Sequence, residues 1–448
     1  LLSSSLGSMG IDIRVIGGGL AGSEAALALA RLGLSVELWE MRPLHQTDIH
    51  ETDRFGELVC SNSLGSDALR DARGLLKAEL RLLGSAIVRC ADVCRLPAGK
   101  AFAVDKGQFS ALVTQNIQSN PLISIRREEY RRLDSSVPTI LATGPLTSPD
   151  FLHELGERLG CENLFFYDAV APSIWAHSVD CNCSFLSSRG GDSADYLNCS
   201  LTREEYYAFV HALQSARQHL PETPDEQKYF EGCLPVEEIA RRGDDALRFG
   251  PMRPVGLRER PENCFAVIQL RKENREGTVL GLVGFQTSLA ILEQQRVLGM
   301  IPALRNAEYV RYGLIHRNAF LRGPSVLSQD LGLQAFPRVW AAGQLCGVDG
   351  YMESTAMGLV AALNAAALLR GFPRPVFSVK TMTGLLVDYV TRDREDFQPT
   401  NANYGLLPLE PGPKQKAVDR EAFAAVALQH MQKVADEVGV WTTQKTSP

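Results

Sequence analysis

Apolar, β-rich runs and helical periodicity alternate from the N-terminal end of the chain. Residues 11–16, IDIRVI, give way at once to GGGLAG and then to SEAALALARLG, whose alanines and leucines suit a helix closed at Gly33. SVELWEMR adds a second strand pattern, so this segment predicts a βαβ unit and a parallel sheet covered on both faces. PTILATG, ending at Gly144, and RVWAAG, ending at Gly343, are further strand patterns, and the latter leads into a small-residue helix, STAMGLVAALNAAALLRG. Strands from both ends of the chain are therefore expected in one sheet, with residues 9–150 and 320–440 forming a discontinuous domain. Between them, over 151–319, helical stretches such as TREEYYAFVHALQSARQ alternate with strand patterns such as CFAVIQL, which predicts an inserted α+β domain. A final helix over about 417–438 is expected to pass into a flexible polar tail, 441–448. The first eight residues, LLSSSLGS, precede the only early Met and read as a cloning remnant.

Composition narrows the class. At 448 residues, 45% apolar and 22% charged, the chain can bury two or three cores, which excludes a disulfide-stapled miniprotein and a disordered chain. Its formal charge is -6, so a polyanionic partner has to meet a local basic patch. The arginine-rich segment 241–275, containing Arg241, Arg242 and Arg258, is the first candidate, and RREEYRR (Arg126 to Arg132) is the second. Ten cysteines, without a signal-peptide pattern or an apolar run near the roughly 18 residues of a membrane span, predict free thiols in a reducing cytoplasm and no membrane association.

Gly17, Gly19 and Gly22 form GxGxxG directly between a strand and a helix, where the missing side chains let the backbone turn tightly and approach a pyrophosphate at the helix N-terminus. Gly18, Leu20 and Ala21 complete that loop, and Glu40, at the end of the second strand, is placed to accept a ribose hydroxyl. Thr143 and Gly144, ending an apolar strand, and the late segment AAGQLCGVDGYMESTAMG, with Gly343, Gly350 and Tyr351, resemble the secondary signatures of flavoproteins. A second GxGxxG for a resident nicotinamide is missing, so one tightly held FAD with NAD(P)H as a visitor is expected. The fold class is therefore α/β, a Rossmann-like FAD-binding domain assembled from both ends of the chain.

The cysteines lack metal-ligand spacing, and no metal is expected. Two stand apart from the small-core-residue reading. Cys60 lies in ELVCSNSLGS, a polar loop in which an exposed thiol would be activated by N–H donors. Cys233 lies in YFEGCLPVEEIARRG, between a glycine and a proline ahead of a helix; Glu237 and Glu238 there read as helix N-terminal charge.

Taken together, GGGLAGSEAA, TDRFGELVCSNSLGS, GGDSADYLNC, YFEGCLPVEEIARRG, LRFGPMRPVGL, YGLIHRN and AAGQLCGVDGYMESTAMG closely resemble the folate- and FAD-dependent tRNA (uracil-5-)-methyltransferases, the TrmFO family, from about Ile13 to Leu407. The resemblance implies methylenetetrahydrofolate as one-carbon donor, FAD as carrier and reductant, NAD(P)H as electron source, and a T-loop uridine of tRNA as acceptor. It implies Cys233 as the nucleophile at uracil carbon-6, and Cys60 as its partner in proton transfer or in handling the one-carbon unit, with these roles open to exchange. His316 is implied to stack on the folate pterin, with Asn318 beside it as a substrate-binding residue. The chemistry fits: carbon-5 of uracil is a poor nucleophile until a thiolate adds at carbon-6. A non-catalytic flavin-containing RNA-binding protein and an NAD(P)H-dependent oxidoreductase of a small molecule are the alternatives. Retention of both cysteines argues against the first, and the single glycine loop argues against the second.

Overall fold

The computed structural model describes residues 10–160, 164–190, 193–219, 234–258, 260–408 and 419–443. Its organising element is a five-stranded parallel sheet in the order Val339–Ala341, Thr139–Leu141, Ile13–Ile16, Val36–Glu40, Ile123–Arg127. Ile13, Val15 and Ile16 of the central strand are buried, as a strand covered on both faces requires. Strands from the two ends of the chain are thus neighbours, as the sequence pattern predicts.

The glycine loop feeds the helix Leu20–Arg31, buried from Leu20 to Ala30. This helix carries alanines because it lies against a second buried helix, Tyr351–Arg370, at backbone contact. A Cβ on Gly358 would lie 2.3 Å from the carbonyl oxygen of Ala21. Tyr351–Arg370 is long and apolar enough to cross a bilayer, yet it is buried from Met352 to Ala367 within this fold.

A six-stranded sheet with its own core, running from Ile174 to Leu304, forms the inserted part. Its strands pair antiparallel, and the helix Arg203–Ser215 packs on it, started by a capping box between Thr202 and Glu205. The antiparallel ribbon of Leu164–Ala169 and Ile315–Phe320 carries the chain in and out. Phe166 and Phe320 of the ribbon, like Phe151 and Leu155 before it, lie in the first core. The second core therefore starts further along the chain than residue 151.

Two further differences have physical causes. SNSLGS, read as loop, contains the strand Ser63–Ser66, paired with Ala101–Val104 in a small three-stranded sheet that short polar residues do not announce. The last helix, Arg420–Thr443, runs into the segment expected to be flexible, because Trp441 stacks on Phe372 with ring centroids 5.3 Å apart.

Candidate functional site

A cleft of about 1020 Å³ opens at the carboxyl ends of the parallel strands, where ligands of such sheets bind. Gly17, Gly18, Gly19, Leu20, Ala21, Glu40, Thr143, Gly144, Gly343 and Tyr351 all line it. The glycines divide by role. Gly17, at φ +103°, and Gly22 are packed against the chain itself: added Cβ atoms would meet Ala142 O at 2.4 Å and Gly17 O at 1.8 Å. At Gly19 and Gly144 a Cβ would meet nothing within 4 Å. The loop is thus pinned on one side and open on the other. The helix Leu20–Arg31 has no acidic residue in its own first turn, and its positive end faces the cleft. That arrangement fits a diphosphate. Gly350, at φ +111°, caps the helix Tyr351–Arg370 beside it.

Glu40 lines the cleft and is held there by the chain itself. Its Oε1 accepts from Arg42 N and Nε at 3.0 Å each, and its Oε2 from Gly18 N at 2.9 Å and Arg42 Nη2 at 3.1 Å. All of the roughly four acceptor positions of a carboxylate are taken, so a ribose hydroxyl has to share an oxygen. Burial alone would raise the Glu40 carboxyl; the hydrogen bonds and charge of Arg42 outweigh it and hold the group below its ordinary range. Arg42 is itself buried and also donates to Glu57 Oε2 and Thr52 O, both at 3.1 Å. Burial, and then Arg42, lower His50 of the same cleft to about 4, so its imidazole is neutral. Sequence reasoning missed Arg42, Glu57 and His50; the one available signal was an arginine two positions past the acidic strand end.

Val59 lines the cleft, and Cys60 follows it. The Cys60 and Ser61 amides donate to Tyr351 Oη at 2.8 and 3.2 Å. Cys60 is half-buried, with Sγ 3.9 Å from Ala169 O. Burial pushes its thiol up to about 12, with Asp168 and Asp349 adding to the rise and Arg311 and Lys106 opposing it. The expected exposed, N–H-activated thiolate is therefore corrected: Cys60 is held as a protonated thiol. Burial, Asp168 and Glu353 likewise raise Asp349 to about 7. Cys233, like Cys161, lies outside the described residues.

His316 lines a second groove, of about 1850 Å³, that shares Met41, Glu129 and Pro145 to Ser148 with the cleft. Its Nε2 is 4.0 Å from Asp168 Oδ2, and burial lowers its pKa, so the ring is neutral. Among the described residues its Nδ1 has no partner, nor do either of the side-chain polar atoms of Asn318, which is 1% exposed. Such unsatisfied buried groups are uncommon.

The basic segment is only partly a surface. Arg271 is buried against Ser61 and Asn62, and Arg248 lies over the Phe265 ring at 4.1 Å. Arg241 and Arg242 are exposed at the end of the helix Val236–Arg241, where Arg241 pairs with Glu238. Arg258 is exposed in the loop before Ala266–Lys272, its amide held by Ser187 Oγ at 3.1 Å. Glu237 and Glu238 lie in the first turn of the helix Val236–Arg241, as expected of helix-end charge, and Glu237 is also buried, accepting from Thr287 and Ser288. In the second basic run, Arg126 pairs with Glu128 and lies over Trp39, and Arg127 donates to Arg42 O.

Sheet order, glycine loop and cleft together define a Rossmann-type dinucleotide-binding protein. The sequence matches the family described as Glucose inhibited division protein A over residues 12–373. Solved structures of Aquifex aeolicus GidA superpose with a TM-score of 0.68 at 17% identity, covering 96% of this chain and 73% of that one in one crystal form. Identity is much higher, 49% over 433 residues, to methylenetetrahydrofolate–tRNA-(uracil-5-)-methyltransferase TrmFO of Syntrophomonas wolfei, covering 95% of this chain and 99% of the relative. The Thermus thermophilus protein of the same name is 47% identical over 414 residues, covering 92% and 93%. The chain belongs to the TrmFO family.

Proposed function

We propose that this protein transfers a one-carbon unit from methylenetetrahydrofolate to carbon-5 of a T-loop uridine in tRNA, forming 5-methyluridine, with NAD(P)H as the electron source. The observation that carries the reading is the continuity of cleft and thiol: Tyr351 lines the dinucleotide cleft and also holds the amide of Cys60. Near-full-length identity to proteins named for this reaction supports it.

FAD fits the cleft by the open faces of Gly19 and Gly144 and the helix N-terminus, and when bound it supplies hydride and carries the one-carbon unit. Gly18, Gly19 and Leu20 would hold its diphosphate, with Thr143, Gly144, Gly343 and Tyr351 along its length. Cys233 adds to carbon-6 of uracil, which makes carbon-5 nucleophilic toward the methylene carbon; after that bond forms, the carbon-5 proton leaves to a base as the Cys233 thiolate departs from carbon-6, and a hydride converts the exocyclic methylene to methyl. Cys60, protonated at neutral pH, serves in proton transfer beside Asp349, whose carboxyl titrates near neutrality. His316, neutral and flanked by Asp168, offers a flat face for a pterin in the groove that adjoins the cleft; Asn318, two residues along the same strand, is buried and does not itself line that groove. Arg241, Arg242 and Arg258 meet phosphates. The reading is tested by incubating the protein with tRNA, methylenetetrahydrofolate and NAD(P)H and measuring nucleosides by mass: 5-methyluridine supports it, and unmodified uridine rejects it.

A further inference from the structure

The loop carrying Cys60 belongs to the parallel-sheet part of the chain, yet much of what holds it comes from the inserted part. Arg311, on the strand Tyr309–Arg311, donates from Nη1 to Val59 O at 2.7 Å and from Nη2 to Cys60 O at 2.9 Å. Arg271, on Ala266–Lys272, donates from Nε to Asn62 Oδ1 at 2.7 Å and from Nη2 to Ser61 Oγ at 2.6 Å. Asn62 returns a bond from Nδ2 to Lys272 O at 2.8 Å. Lys106 reaches Cys60 O at 3.4 Å while paired with Glu273 at 3.2 Å. Two planar guanidinium forks thus fix successive residues of one short loop, a task for which an ammonium is the wrong shape.

We propose that Arg311 is a positioning residue for Cys60, chelating the two carbonyls that fix the thiol's place and keeping a positive charge beside it. The proposal rests on the reading of Cys60 as a catalytic group. The groups that act electrostatically on Cys60 come from several elements: Arg311 and Lys106 favour its thiolate, whereas Asp168 and Asp349 oppose it. Among the described residues, Arg311 donates to both carbonyls, whereas Lys106 reaches that of Cys60. The inserted unit, which also carries the arginines proposed to meet tRNA, thereby sets the geometry of a thiol on the other unit.

The test compares Arg311→Gln and Arg311→Lys with the parent protein, both loaded with FAD. The rate of Cys60 alkylation by iodoacetamide is followed against pH by mass analysis of the Cys60 peptide, and methyl transfer is followed separately. Arg311→Gln is expected to slow alkylation at pH 9 by roughly tenfold, the effect of about one pKa unit, whereas Arg311→Lys, keeping the charge, stays within about twofold. Both lose roughly tenfold or more in kcat, with KM for tRNA and FAD content unchanged, because neither can chelate two carbonyls. An unshifted alkylation profile with parental kcat in Arg311→Gln overturns the proposal. If that variant does not fold, Arg311→Lys decides: parental kcat there overturns the proposal, and lost kcat with a retained alkylation profile supports it. Alkylation needs neither folate nor tRNA, so failure of the proposed reaction is read separately from failure of the positioning role.

Discussion

The hydroxyl of Tyr351 accepts the amide of Cys60 at 2.8 Å across 291 residues of sequence, tying the helix that floors the dinucleotide cleft to the loop that carries the thiol. Tyr351→Phe leaves the amides of Cys60 and Ser61 without that acceptor while preserving the ring. Each unmade buried hydrogen bond costs about 1–3 kcal/mol, so the loop that carries the thiol is loosened and kcat for methyl transfer, taken per bound flavin, is expected to fall roughly ten- to a hundredfold. Single-turnover rates and the flavin absorbance check this; a parental rate shows that the bond plays no part.

Gly19 and Gly22 are expected to fail in different ways. Gly19→Val projects a side chain into open cleft, so the protein folds but is isolated colourless, without FAD. Gly22→Val drives side-chain carbon into Gly17 O and is expected to abolish soluble expression. Absorbance at the flavin band and circular dichroism separate the two, and full flavin occupancy in Gly19→Val contradicts the assignment.

The buried Glu40–Arg42–Glu57 cluster makes a stability prediction with a sign. Arg42→Met strands two carboxylates out of water and is expected to destabilise the protein by about 3–5 kcal/mol in a denaturant titration. Glu40 has a folded pKa below its unfolded one, so its stabilisation is present above the ordinary carboxylate pKa and is lost as pH falls through the depressed value. Glu40→Gln should therefore flatten the acid side of the stability profile while leaving its shape above neutrality.

The parallel sheet and glycine loop were legible because their signals are local: a strand, three glycines and a helix of small residues lie within one stretch of sequence. The same is true of Cys60, which sits in its own motif. What surrounds Cys60 was not legible. Arg311, Arg271, Asp168 and Asp349 arrive from distant strands and turns, and nothing about an isolated arginine or aspartate announces where tertiary pairing will put it. For the same reason the sequence does not show that Arg271 turns inward from the basic segment, or that Arg42 holds Glu40.

On the inserted unit, reversing Arg241, Arg242 and Arg258 to Glu is expected to weaken tRNA binding and flatten its dependence on salt while sparing FAD content. Arg241 is paired with Glu238, so Arg241→Glu also sets two like charges together at the end of that helix. Filter binding across a salt series reads both; unchanged affinity and slope in the triple variant place the RNA surface elsewhere.

The central claim is that the methyl carbon comes from folate and that two cysteines deliver it to uridine. The direct measurement supplies methylenetetrahydrofolate with an isotopically labelled methylene carbon, together with NAD(P)H and unmodified tRNA, to the parent protein and to Cys233→Ala and Cys60→Ala. The account predicts labelled 5-methyluridine with the parent, and losses of several orders of magnitude in both variants while NAD(P)H still reduces their flavin. Unlabelled 5-methyluridine, or labelled product at parental rate from Cys233→Ala, would contradict it.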